Sequence, residues 1–112
     1  MKVRLSGAAR TYLLHEASYL TERSPAAGAA FLRDIRSVRR RIGKYPEIGF
    51  KPFPARESRR LVVGDYLIDY EPGPDGIEIT SIRHSRQSDV ALNLDDDFDY
   101  EADDGETNDS KP

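Results

Sequence analysis

The 112-residue sequence contains no cysteine, so it has neither a disulfide framework nor a cysteine-ligated metal centre. It has no apolar run long enough to cross a bilayer as a helix. The opening Met1-Lys2-Val3-Arg4-Leu5 lacks the continuous apolar core of a secretory signal. These absences predict a cytoplasmic protein with no membrane association, no metal site and no cofactor. The length predicts one domain with a core of modest size.

Charge is present in quantity and unevenly placed. Nine Asp or Glu residues and one Lys fall between Asp95 and Pro112, a net of −8, which leaves residues 1–94 at +5 against a total of −3. A basic body suits nucleic acid or an acidic protein partner. The segment 95–112 has high charge of one sign and few apolar residues, too few to offset the entropy of ordering, and is predicted to be a disordered tail. The remaining residues 1–94 are predicted to form the folded domain. Phe98 and Tyr100 interrupt the acid run. They give the tail two readings, a solvated appendage or a tethered competitor for the basic surface.

The central stretch is Arg59-Arg60-Leu61-Val62-Val63-Gly64-Asp65-Tyr66-Leu67-Ile68-Asp69-Tyr70. Leu61-Val62-Val63 and Tyr66-Leu67-Ile68 suit a pleated, half-buried surface. Gly64-Asp65 between them suits a two-residue hairpin turn of type II′. Pro72-Gly73-Pro74-Asp75-Gly76 predicts a second turn, and Ile77-Glu78-Ile79-Thr80-Ser81-Ile82 a third strand. Ile77 and Ile79 share a face by period two whereas Ile82 does not, which predicts a β-bulge near Thr80-Ser81.

Val3-Arg4-Leu5 suits an opening strand. Ser6 is placed to cap a first helix that carries Ala9, Tyr12, Leu13, Ala17 and Leu20 at helical spacing and ends near Glu22-Arg23. Glu16 falls at the edge of that stripe. Ser24-Pro25 restarts the chain as a second helix, with an apolar face of Ala27, Phe31, Ile35, Val38, Ile42 and Tyr45 that Pro46 ends. On its other side Arg33, Arg36, Arg40 and Lys44 align, flanked by Arg39 and Arg41; a solvated helix face and a binding stripe both fit. Lys51-Pro52-Phe53-Pro54-Ala55-Arg56 is a connecting loop in which Phe53 either anchors to the core or faces a partner. The predicted fold is α+β with the order β-α-α-β-β-β, a two-helix hairpin packed on one face of an antiparallel sheet. Its core is predicted at Leu13, Leu20, Phe31, Ile35, Val38, Ile42, Val63, Ile68 and Ile79.

Several signposts occur along this order: Ala9 with Tyr12-Leu13, Tyr19-Leu20 before Ser24-Pro25, Pro46 with Gly49, Arg60 through Tyr70, and Ile77-Glu78-Ile79 with Ile82-Arg83-His84-Ser85-Arg86-Gln87. In this order and spacing the chain resembles the RelE/ParE family of toxins of bacterial type II toxin–antitoxin systems, over roughly residues 2–90. The hairpin Val63-Gly64-Asp65-Tyr66 and the ending Ile82 to Gln87 look closer to the ParE-like branch. The resemblance implies a growth-inhibiting toxin of bacterial stress responses, bound in a hetero-oligomer by a cognate antitoxin whose C-terminal segment neutralises it.

The family divides into two activities, and fold membership does not choose between them. ParE-like members block DNA gyrase without hydrolysis. RelE-like members are metal-independent endoribonucleases that cut mRNA on the ribosome, and cleavage needs a base, an acid and cations around the phosphate. RelE-like enzymes carry an Arg early in the middle strand of the meander, where this chain has Leu67. Their C-terminal catalytic Tyr falls near Ala91. The resemblance therefore implies a toxin that binds gyrase rather than a hydrolase. Arg83, His84 and Arg86 form the alternative, an interferase set, because His titrates near neutral pH. A structural strand-end His is the plainer reading of His84. A third possibility is a degenerate toxin kept as an antitoxin-binding module. In every case Arg60, Arg83, His84 and Arg86 are predicted to cluster at one end of the sheet and face antitoxin or target.

Overall fold

Ser6 and Ser24 set the two helices. The computed structural model describes residues 1–86 and runs β1 (Lys2–Leu5), α1 (Gly7–Arg23), α2 (Pro25–Lys44), β2 (Arg59–Val63), β3 (Tyr66–Gly73) and β4 (Gly76–His84). The Ser6 side chain accepts the Ala9 N–H at 3.1 Å, satisfying a first-turn donor of α1. Ser24 ends one helix and begins the next. Its N–H donates to the Leu20 carbonyl at 2.8 Å while its side chain accepts the Ala27 N–H at 3.2 Å, with Pro25 in the first turn. A link of one residue forces the two helices together at once. Gly28 records how closely they approach, since a Cβ there would stand 2.0 Å from Thr21 Oγ1 and 3.0 Å from Thr21 Cβ.

The four strands lie in the order β1-β4-β3-β2. Strands β2 and β3 are antiparallel, with Leu61 opposite Ile68 and Val63 opposite Tyr66. Gly64 has φ +59°, the left-handed value that a primed hairpin turn needs at its first central position. The second turn is shorter than the sequence suggests, because β3 continues through Pro72 to Gly73 and leaves Pro74-Asp75 as the link. The β-α-α-β-β-β order and the helix hairpin on the sheet are as predicted. One feature differs: β1 enters parallel to β4, pairing Val3 with Ile77 and Leu5 with Ile79, so the sheet is mixed. Two helices separate β1 from the meander, and a connection that long permits a parallel entry that hairpin-linked strands cannot make.

The core lies between α2 and the sheet. Phe31, Ile35, Val38 and Ile42 meet Ile68, Tyr70, Ile77, Ile79 and Ile82, with Ala9 from α1. Each fully buried aliphatic or aromatic side chain of this kind contributes roughly 1.5–3 kcal/mol. Leu13, Leu20 and Val63 are only partly buried and pack at its margin. Ile77, Ile79 and Ile82 are all buried, so the alternation along β4 changes phase after Thr80, as the expected bulge requires. Tyr45 leaves the predicted apolar face and is 56% exposed. As the residue before Pro46 it is pushed out of the helical region (φ −131°, ψ 79°), and α2 stops at Lys44.

The chain divides into two units, Met1–Ile82 and Arg83–Pro112. The predicted tail 95–112 and Ala91 lie outside the described residues.

Candidate functional site

The hairpin register decides what Arg60 does. Leu61 and Val63 pack against the helices, so the alternate residues Arg60 and Val62 project from the opposite face of β2. Directly across the ladder Arg60 meets Asp69, and the two form a fork: Nε to Oδ1 at 2.7 Å and Nη2 to Oδ2 at 3.1 Å. The side chains are 16% and 17% exposed. Such a partly desolvated bidentate pair is costly to break by removing one partner. The Arg60 charge is thus neutralised in place, which suits a flat docking plate better than a clamp for phosphate. Thr80 Oγ1 donates to the Asp69 carbonyl at 3.4 Å, tying the plate to β4.

The outer edge of β2 is half covered. Arg60 exchanges both backbone hydrogen bonds with Phe50, at 2.7 and 3.0 Å, so the segment after α2 covers the edge of β2 at this one bridge. Large apolar side chains remain in solvent along this margin: Ile48, Phe50, Phe53 and Val62. Phe53 is one of them, with the Arg56 guanidinium carbon 5.0 Å from its ring centre. It is not a core anchor. A cleft of about 240 Å³ opens on the helix side of the hairpin, lined by Leu20, Phe31, Ile35, Val63 and Tyr66 among others. At its floor the Phe31 and Tyr66 rings lie 4.9 Å apart. Tyr66 donates its hydroxyl proton to Glu16, the acid at the edge of the α1 stripe. Burial first, then the Glu16 hydrogen bond and charge, hold the Tyr66 phenol well above its ordinary range.

The other predicted site residues open the second unit. Arg83 and His84 end β4, and Arg86 follows, exposed, in the helical residues that begin at Ser85. Within this unit His84 and Arg86 are brought together, because the Arg86 N–H donates to His84 Nδ1 at 3.2 Å. Nδ1 is therefore an acceptor, and in the neutral ring the proton sits on Nε2. That arrangement fits a ring that closes the strand end, and it occupies a lone pair that a general base would use. Arg60 falls in the first unit and these three in the second.

Asp69, Phe50 and Glu16 are the participants that reading the sequence for function passes over. Asp69 had a signal: a two-residue turn at Gly64-Asp65 fixes the register that sets it opposite Arg60. Among the described residues, no group of His, Asp or Glu is placed to hold a metal ion, and no helix is long and apolar enough to cross a membrane.

Comparison with curated proteins finds no match. The family profile described as "ParE toxin of type II toxin-antitoxin system, parDE" matches residues 3–89, which is nearly all of the chain outside the acidic segment. With the β-α-α-β-β-β order and the helix hairpin on its sheet, that match identifies the chain as a member of the ParE toxin family of type II toxin–antitoxin systems.

Proposed function

We propose that the protein arrests bacterial growth by binding DNA gyrase, and that a cognate antitoxin neutralises it in a hetero-oligomer. The family match carries the toxin and antitoxin part of this reading, since the family's description is that of a toxin paired with an antitoxin. Three features support a binding mode over RNA cleavage. Leu67, opposite Val62 on the exposed sheet face, has no cation or proton to offer at the position where RelE-like relatives carry an Arg. His84 Nδ1 is engaged by the Arg86 amide, and Arg60 by Asp69. Antitoxin and target would meet the first unit through Arg60, with the apolar margin of Phe50 and Val62 beside it, and the second unit through Arg83, His84 and Arg86.

Two assays on the purified full chain decide the matter. Gyrase supercoiling should be inhibited in proportion to toxin and restored by the antitoxin encoded beside it, while ribosome-bound mRNA stays intact. Cleavage of that mRNA, abolished by His84→Gln, would replace the gyrase reading with an interferase. Inertness in both assays, together with unimpaired antitoxin binding, would mark a degenerate module.

A further inference from the structure

We propose that the outer face of α2 is a docking surface for the sugar–phosphate backbone of duplex DNA. The proposal uses none of the residues assigned above to antitoxin or target and does not depend on the gyrase reading.

Helix α2 carries six cations, Arg33, Arg36, Arg39, Arg40, Arg41 and Lys44, against one acid, Asp34. Arg33, Arg36, Arg40 and Lys44 are all exposed and lie on the side opposite buried Phe31, Ile35, Val38 and Ile42. At 1.5 Å per residue the row is about 16 Å long. Among the described residues, none of these four takes part in an ion pair, unlike Arg4 with Asp75 and Arg60 with Asp69. At the C-terminal end the row runs into an open crevice of about 560 Å³ lined by Val3, Arg39, Arg40 and Lys44 among others. Arg39 is fixed there by its bond to the Val3 carbonyl at 2.7 Å.

A merely solvated helix face does not explain this composition. Glu and Gln are as good helix formers as Lys and Arg, and a Glu four residues before a Lys adds stability. Here Arg36–Arg40 and Arg40–Lys44 are like-charge pairs at that spacing, each unfavourable by roughly 0.2–0.5 kcal/mol. The helix dipole favours cations only in the last turn, which accounts for Arg41 and Lys44 and not for Arg33 or Arg36. A row of one sign is useful when the partner is itself a regular row of the opposite sign. A nucleic-acid backbone is such a partner, and Arg matches phosphate geometry in particular. A lipid surface fits less well, because a helix lying in a membrane interface must insert the apolar side chains that α2 has committed to the core.

The test is binding of the full chain to a short mixed-sequence duplex, followed by anisotropy as salt is raised. If the four side chains each neutralise one phosphate, log affinity falls with log salt at a slope of about −3.6, roughly a hundredfold loss between about 50 and 200 mM. The variant Arg36→Gln/Arg40→Gln/Lys44→Gln should retain its melting temperature and reduce the slope to about −1. Duplex binding without salt dependence, or unchanged in the variant, overturns the proposal. So does tighter binding of polyglutamate or of phosphatidylserine vesicles than of duplex, which would assign the face to an acidic protein or a membrane.

Discussion

The Tyr70 hydroxyl accepts the Gly49 N–H at 2.9 Å and donates to the Pro46 carbonyl at 2.8 Å. One phenol at the heart of β3 thereby fixes both ends of the turn that follows α2. Gly49 has no space for a side chain there, since a Cβ would lie 2.8 Å from the Arg60 carbonyl and 2.9 Å from Tyr70 Oη. The turn in turn presents Phe50 to the edge of β2, so the covered part of the sheet margin depends on a group on the neighbouring strand.

Tyr70→Phe keeps the ring and removes both bonds. The Gly49 amide and the Pro46 carbonyl would lose their partner in a buried place, at a cost of about 1–3 kcal/mol. Urea denaturation measures it. A midpoint that does not move would mean that the phenol is not what holds the turn.

Gly28→Ala sets helix propensity against sterics. Ala gains up to about 1 kcal/mol over Gly in a helix interior, but Thr21 Cβ stands 3.0 Å from the new methyl even if Thr21 Oγ1 rotates away. Overpacking of this kind costs roughly 1–3 kcal/mol, so the net effect is loss of stability. A raised melting temperature would show that α1 and α2 part more easily than their one-residue link suggests.

Phe31 and Leu13 should separate core from margin. Phe31 is 4% exposed, and Phe31→Ala is expected to cost about 3–5 kcal/mol. Leu13 is only partly buried, and Leu13→Ala should fall at or below the lower end of the Leu→Ala range, about 2 kcal/mol. Equal losses from chemical denaturation would contradict the placement of the core against α2.

Tyr66 should make the fold sensitive to alkali. Its folded pKa is raised by burial and Glu16, whereas in the unfolded chain a phenol loses its proton near about 10. Above that pH the unfolded state binds fewer protons, so the Tyr66 contribution is complete at neutral pH and declines as pH rises past about 10. Urea midpoints between neutral and strongly alkaline pH should drop more steeply for the native chain than for Tyr66→Phe. Parallel profiles would rule out Tyr66 as the source.

Much of the architecture was legible because local signals agreed with one another. Ser24-Pro25 marked the helix junction to the residue, Gly64-Asp65 fixed a register, and the Phe31–Ile42 stripe named the core. Tyr45 was misplaced because periodicity counts residues and ignores the conformational limit that Pro46 sets one position upstream. Parallel entry of β1 was not legible: four residues carry no sign of direction, which is decided by the sheet they join. The candidate site was legible only as residue types. Whether an Arg is a ligand or half of an ion pair depends on the residue across the ladder, and only the closed hairpin sets Asp69 opposite Arg60.

The parallel pairing of Lys2–Leu5 with Gly76–Ile79 has a consequence for synthesis. Hairpins β2–β3 and α1–α2 close short loops and can form early, whereas β1 must wait for a strand more than seventy positions away. Pulse-labelled hydrogen exchange during refolding should show Val3 and Leu5 protected after Leu61 and Ile68; the reverse order would refute this sequence of events. On the ribosome the first residues made are then among the last to be seated. A nascent or truncated chain that stops before β4 leaves the sheet without its β1 edge, so only a chain translated nearly to the end of its folded body can present the finished surface.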